Sequence, residues 1–391
     1  MNTSSSRSKA KTLAAVLLLG MLAGCAGGSK SSSCTNCVPP VKPEFLYATA
    51  LNQIALFNVD TTDGTLTLPL GANAGTFPGP NDAEGLVADP QARFLFVSDF
   101  TGSLVRVFNI DNSNGRLTEV TGSPFPVDAS GPRGLVTDVG GKFLFVADFN
   151  SNEISVFNIG SNGALTRVTG SPFFVVGGSS PAFLLLHPSG NFLYTSNLNS
   201  PTGAISAFSI NATTGALTQI SGSPFPTAGS SPGPSIMASD PAGKFLYVSL
   251  GGTANANNQV AAFTVNSSTG ALTPIAGSPV TVGRDPQGLA VTPDGKFLFI
   301  ANFLDNTISA FSIDAASGVL TPITGSPFTA NNAPSRVVID PSGKFLDVTN
   351  NVGGDISVFT INASTALLSP IGGSPFGTLT QPKDLVVVKI P

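Results

Sequence analysis

The 391-residue chain has no tryptophan, one histidine, three cysteines and three tyrosines. A single imidazole excludes mechanisms that need two, and with them most histidine-rich metal sites. Charged residues make up 10% of the chain, against about 25% in an average soluble protein. The formal net charge is −4, so the basic surface that holds nucleic acid is missing. What the chain has in quantity is glycine (43), proline (31) and phenylalanine (28), with 41% hydrophobic residues overall. That composition excludes a disordered chain and points to a folded, turn-rich one.

Residues 1–24 read as an address. Arg7, Lys9 and Lys11 precede a short apolar run, Thr12 to Leu22. The run is well below the about 20 residues of a spanning helix, which marks a signal sequence rather than an anchor. It ends in Leu22-Ala23-Gly24-Cys25, similar to a bacterial lipobox, and Cys25 is the expected lipidation site. Two or more acyl chains hold a protein stably on a membrane where one does not. The expectation is an exported protein, lipid-anchored in the bacterial cell envelope, with the membrane as its partner. Cleavage removes three basic residues and no acidic one, which makes nucleic acid still less suitable. Residues 25–43 then form a lipidated tether, with Gly27, Gly28 and the serines 31–33 flexible and Pro39-Pro40 stiffer. Within it, Cys34 and Cys37 are expected to form a small disulfide in an oxidising compartment. Haem attachment would need His where Val38 stands, and zinc would need two further ligands.

The remainder, 44–391, is one unit written seven times. Phe45-Leu46-Tyr47 returns at Phe94, Phe143, Phe192, Phe245, Phe297 and Phe345, at intervals of 48 to 53 residues. That period suits a blade of a β-propeller. Each repeat holds four strand-sized runs rich in β-branched and aromatic residues. The second run is apolar without alternation, as in a strand buried on both faces. No sustained 3.6-residue period follows residue 40, so no substantial helix is expected.

Turn chemistry separates the runs. His187-Pro188-Ser189-Gly190, Asp240-Pro241-Ala242-Gly243 and Asp340-Pro341-Ser342-Gly343 join first strands to second. Proline presets φ there and glycine accepts a positive φ. Asn162-Gly163 and Thr214-Gly215 turn third strands into fourth. A recurring Gly-Ser-Pro-Phe, as at 122–125, reads as the crossing to the next blade, its Phe packed between blades. The chain starts on a second strand, and the missing first strand is Leu385 to Ile390 at its other end. The expected fold is all-β, a seven-bladed propeller of twenty-eight strands. The C-terminal strand completes the first blade, and its loss should unfold the domain.

Segments such as Pro341-Ser342-Gly343-Lys344-Phe345-Leu346-Asp347-Val348-Thr349-Asn350 resemble the YVTN repeats of the lactonase-like seven-bladed propellers, over nearly all of 44–391. That family holds cytosolic 6-phosphogluconolactonases, a cycloisomerase of aromatic catabolism and exported proteins without an assigned activity. The resemblance implies the fold and a polar channel mouth, with no cofactor. Export argues against the sugar-phosphate role, because that lactone arises in the cytosol.

First strands line a propeller's channel. Aligning the seven puts Lys383, Glu84, Arg133, Ala182, Ser235, Gln287 and Ser335 at one position, with Arg336 and Asp384 one step further. Lys383, Glu84 and Arg133 fall on adjacent blades. An anion between the two cations, with Glu84 as acceptor or general base, is one reading. A self-neutralising structural network is the other. Gln287, Arg336, Ser235 and Ser335 are candidate ligand contacts. His187 holds a turn position at the far end of its strand and is expected to be structural.

Asn197 to Ala204 and Leu250 to Gln259 are long second-to-third-strand loops with Asn199, Asn255, Asn257 and Asn258. Asp99, Asp148, Asn197, Asn302 and Asn350 end second strands, where they read as caps. The runs 60–64 and 111–115 hint at calcium loops, but Gly71 and Gly122 stand where the twelfth-position carboxylate belongs. They read as hairpin turns, as do the acceptor-like Asn211 and Asn362, and no metal is expected. Two functions remain open. One is a lipid-anchored scaffold binding a protein, glycan or small anion at the mouth. The other is a lactone hydrolase using Glu84 with Arg133 and Lys383.

Overall fold

The Phe-Leu anchors open a buried second strand in every blade, as in Phe94–Asp99, Phe143–Asp148 and Phe345–Asn350. Every residue of these strands is buried, because each blade is covered by a neighbour on both faces. The protein is seen here as a computed structural model that describes residues 42–391 apart from 71–74, 200–202, 228–233, 252–257 and 378. The expectations for the leader, Cys25, Cys34 and Cys37 lie outside the described residues, as do Asn255 and Asn257.

Among the described residues there are strands and no helix. They form seven antiparallel sheets whose strands follow chain order from the channel outwards. Blade 2, for example, runs Ala83–Ala88, Phe94–Asp99, Leu104–Ile110 and Leu117–Glu119. Blade 1 takes its first strand from the C-terminus. Leu385–Lys389 pairs antiparallel with Glu44–Ala50, Leu385 opposite Ala48 and Lys389 opposite Glu44. First strands touch their neighbours all round the ring, and Leu385–Lys389 touches both Ala83–Ala88 and Pro334–Ile339. Seven apolar clusters, each built from two adjacent blades, form the core.

The glycine of the third-to-fourth turn has a packing reason as well as a conformational one. Gly163 has φ +81°, and a Cβ there would lie 2.8 Å from the ring of Phe94 in the preceding blade. Gly64 meets Phe345 in the same way across the seam where the ring closes.

One expectation is corrected. Gly-Ser-Pro-Phe is not the crossing between blades; it continues the outer strand. In blade 2, Leu117–Glu119 pairs with the end of Leu104–Ile110, and Phe125–Pro126 pairs with its start. The outer strand is thus kinked into two pieces in six blades, which brings the strand count among the described residues to 34 rather than twenty-eight. At the kink, Ser123 Oγ accepts the Val107 N–H at 3.0 Å. Ser171, Ser223, Ser278, Ser326 and Ser374 take the equivalent N–H in their blades. The recurring serine therefore satisfies a backbone donor that the kink leaves unpaired. Phe125 does pack into the cluster shared by blades 2 and 3, but only half-buried. Its truncation should cost less than the about 3–5 kcal/mol of a fully buried Phe.

Candidate functional site

Each first strand of blades 2 to 7 starts with a bulge. Pro132 pairs with Asp148, the register then slips, and pairing resumes at Leu135 with Val146. The same slip occurs between Ala83 and Leu86, Pro181 and Leu184, Pro234 and Met237, Pro286 and Leu289, and Pro334 and Val337. A bulge re-aims the side chains within it. Here it holds the aligned position: Glu84, Arg133, Ala182, Ser235, Gln287 and Ser335. Lys383 stands just before the first strand of blade 1.

Hydroxyls of the second strand stabilise the bulges. Ser98 Oγ accepts the Gly85 N–H at 3.0 Å, Ser196 Oγ that of Phe183 at 3.2 Å and Thr349 Oγ1 that of Arg336 at 2.9 Å. Thr49 Oγ1 does the same for Asp384 at 2.9 Å. Neighbouring first strands also come close. A Cβ on Gly85 would lie 2.7 Å from the Arg133 carbonyl oxygen, so a side chain there would push the two strands apart.

The three adjacent-blade charges are brought together. Arg133 donates to Glu84 Oε2 through Nη2 at 2.9 Å and Nε at 3.3 Å. Lys383 Nζ donates to Glu84 Oε1 at 2.5 Å and to Asp82 Oδ1 at 2.8 Å. Partial burial works against the Lys383 charge, but the bonds to Asp82 and Glu84 outweigh it and hold the ammonium above its ordinary pKa. Arg133 is further held by aromatic rings. Its guanidinium lies 4.9 Å from the Phe149 ring centre and 5.8 Å from those of Phe100 and Phe183, within cation–π range. On the other side, Arg336 Nε lies 2.8 Å from Asp384 Oδ1. Asp384 is buried, which raises its pKa, while Arg336 pulls the other way.

This arrangement alters the expected anion position. The place between Arg133 and Lys383 is filled by the Glu84 carboxylate itself. A ligand meets the cations only from the channel side, where a cleft of about 280 Å³ opens. Glu84, Arg133, Ser235, Gln287, Ser335, Arg336 and Lys383 all line it, while Ala182 is fully buried. The short bonds and the open space coexist. A carboxylate offers about four acceptor positions, and three donors occupy three of them, leaving one on Oε1.

Alignment of first strands missed several residues of the site. Asp82, which binds Lys383 but does not line the cleft, precedes the aligned column by two positions. Phe183 and Ile236 follow it by one, and Phe303 and Asn351 follow the ends of second strands. Only the aromatic repeated after the second strand, at Phe100, Phe149 and Phe303, was a visible signal.

The other candidates have local roles. His187 lies at the opposite end of its strand, buried between Ser189 Oγ and the Gly243 carbonyl, each at 2.8 Å. Asp60 and Asp111 cap their own turns by accepting the N–H of Thr62 and Ser113. Asn211 and Asn362 do likewise for the residues two and three on. Asn199 Nδ2 donates to Ser180 Oγ at 2.9 Å, and Asn258 Oδ1 accepts the Asp285 N–H at 3.0 Å.

The second-strand caps differ in charge. Asn197, Asn302 and Asn350 donate to Ser206, Ser309 and Ser357 Oγ at 2.8–2.9 Å. Asp99 Oδ1 accepts the Gly102 N–H at 3.0 Å. Asp148 Oδ2 accepts the Ser155 N–H at 2.9 Å, and its other oxygen is buried without a partner among the described residues. Burial pushes the Asp148 pKa to about 7. The folded state thus holds a proton that the unfolded chain releases near pH 4, and stability falls as pH rises from 4 to 7. Asp148→Asn is expected to raise stability by about 2–4 kcal/mol at pH 8 and far less at pH 4, read as melting temperature against pH.

The family model described as "Lactonase, 7-bladed beta-propeller" matches residues 44–178, 171–234, 227–327 and 284–387. No match appears among curated proteins. Among solved structures, a candidate 6-phosphogluconolactonase from Bacteroides fragilis aligns at TM-score 0.75 and 21% identity, covering 92% of this chain and all of that one. The periplasmic gluconolactonase of Pseudomonas aeruginosa aligns at TM-score 0.73 and 20% identity, covering 89% of this chain and 100% of its own. A Lactobacillus plantarum protein aligns at 0.72 and 19%, covering 89% and 100%. The identities are low enough that these structures speak for the fold, and the family match spans nearly every blade. The chain belongs to the lactonase family of seven-bladed β-propellers.

Proposed function

We propose that the chain is a lactone hydrolase working in the mouth cleft, with Glu84, Arg133 and Lys383 at the reacting centre. One observation carries the reading: the Glu84 carboxylate, fixed by three N–H donors, keeps a fourth acceptor position without a donor among the described residues, and Glu84 lines a cleft together with Arg133, Arg336 and Lys383. A water accepted there would be aimed at a lactone carbonyl. Arg133 and Lys383 supply positive charge beside the oxygen on which negative charge develops. Ring opening turns a neutral ester into a carboxylate, which Arg336 on the same wall can receive. The activities named for the Bacteroides fragilis and Pseudomonas aeruginosa proteins support the chemistry, and the second name supports a place outside the cytoplasm. Residues 1–24 as a lipoprotein leader, Cys25 as the lipid anchor, Cys34–Cys37 as a disulfide and 25–43 as a tether belong to the same proposal.

The second reading, a scaffold that binds a protein, glycan or small anion at the mouth, is favoured by the engagement of both Glu84 oxygens by cations. A cleft at the small end of the about 300–1,000 Å³ typical of ligand pockets suits the small anion best among those partners.

The test is turnover by the full chain of a panel of sugar and simple lactones. Glu84→Gln is expected to lower kcat/KM by about 10²-fold or more with little change in melting temperature. Activity that survives the substitution would remove Glu84 from the reaction. A wild-type chain that opens no lactone would leave the binding scaffold.

A further inference from the structure

The lining of the cleft is split by blade. Blades 7, 1, 2 and 3, consecutive around the ring, bring Arg336 and Asn351, Lys383, Glu84 and Arg133. Blades 4, 5 and 6, also consecutive, bring Phe183, Ile236 and Phe303, with Ser235 and Gln287 as their polar groups. The charged side chains are therefore gathered on one side of the cleft and the apolar ones on the other, beside the uncharged Ser235 and Gln287.

We infer that the ligand of this cleft is amphipathic: a small lactone bearing an aliphatic or aromatic substituent, its ester group toward Glu84 and its apolar arm against Phe183, Ile236 and Phe303. The inference rests on the lactonase reading for the reaction, and on the two-walled lining for the substituent. A polyhydroxylated ring fits this lining poorly. Its hydroxyls would press on two phenylalanines and an isoleucine, and buried polar groups without partners are unfavourable. An alkyl arm has the opposite preference. Each buried methylene contributes about 0.8 kcal/mol, or roughly three- to fourfold in affinity. The volume of about 280 Å³ limits the arm to a short chain or one ring.

The experiment measures kcat/KM of the full chain for γ-butyrolactone, γ-hexalactone, γ-octalactone and γ-nonalactone, beside glucono-δ-lactone. In parallel, thermal shift measures binding of butanoate, hexanoate and octanoate. The expected result is a kcat/KM that climbs roughly threefold per methylene until the cleft is full, with glucono-δ-lactone the poorest substrate. Phe303→Ala, checked for folding by its melting curve, should flatten that climb, and Phe183→Ala should do the same. A flat dependence on chain length, or a preference for glucono-δ-lactone, overturns the amphipathic ligand while leaving the hydrolase. If no lactone turns over but carboxylate binding strengthens with chain length and loses that dependence in Phe303→Ala, the hydrolase reading falls and the amphipathic cleft stands. Carboxylate binding that ignores chain length, without turnover, removes both.

Discussion

Removing residues 382–391 is expected to abolish cooperative folding of the whole propeller, although it deletes under 3% of the chain. The segment contributes the first strand of blade 1, paired over five residues with Glu44–Ala48. Leu385, Val388 and Ile390 are each under 8% exposed. At about 1.5–3 kcal/mol for burying such a side chain, the three alone match much of the 5–15 kcal/mol that holds a typical domain together. The segment also ties three blades. Asp384 accepts the Leu86 N–H of blade 2 at 3.1 Å and lies against Arg336 of blade 7. Without it, Glu44–Ala50 becomes an open edge facing the channel, and blades 7 and 2 lose the strand between them. Loss of the far-UV strand signal and of any sharp melting transition is the expected readout. A truncated chain that still melts cooperatively within a few degrees of the full one would show that ring closure is dispensable. Leu385→Ala with Val388→Ala, which keeps the backbone ladder, should give an intermediate loss of about 4–8 kcal/mol.

The closing strand was legible because its partner begins the domain: the repeats open on Phe45-Leu46-Tyr47, a second-strand run, and Leu385 to Ile390 is a first-strand run with no second strand after it. The blades were legible for a similar reason, since the same Phe and the same turn glycine meet at successive seams. The kinked outer strand was not. Pro124 and Pro172 follow short runs in the manner of an exit from a sheet, and the pairing of Phe125 back onto Val105 is a contact that local pattern does not encode. The site divides along the same line. Glu84, Arg133 and Lys383 share one aligned column, with Arg336 one step further, and could be gathered by counting from the strand starts. Phe303 and Asn351 belong to another column, and Phe183 and Ile236 reach the cleft because a bulge turns the strand start toward the channel. Whether Glu84 would be bridged or left open depended on distances of a few ångströms, which no spacing in the sequence specifies.

Replacing Asp347 should strengthen the fold more than any other single change considered. The third residue of the Phe-Leu anchor is Tyr or Phe in six blades: Tyr47, Phe96, Phe145, Tyr194, Tyr247 and Phe299. The tyrosines latch one blade to the next, with hydroxyls donating to the carbonyls of Gly115, Gly270 and Gly318 at 2.5, 2.8 and 3.0 Å. In blade 7 the residue is Asp347, on the seam with blade 1, where the corresponding turn glycine is Gly64. Asp347 is buried, and the repulsion of Asp340 and Glu44 adds to that burial to push its pKa to about 8. Burial also raises Glu44, against the pull of Lys389, which lies 3.5 Å away. In the unfolded chain Asp347 titrates near 4. Its contribution to stability is therefore greatest below pH 4 and is lost as the pH rises through 8. Asp347→Asn removes the charge at nearly constant size. It should leave stability at pH 4 almost unchanged and raise it at pH 8 by about 3–5 kcal/mol, flattening the melting profile between those limits. Asp347→Tyr should add a latch to the Gly64 carbonyl if the closing seam has the width of the others, and so exceed Asp347→Asn at both pH values. A profile for Asp347→Asn parallel to wild type from pH 4 to 8 would mean that the carboxyl is hydrated at the seam. Its burial would then be no weakness in the closure of the ring.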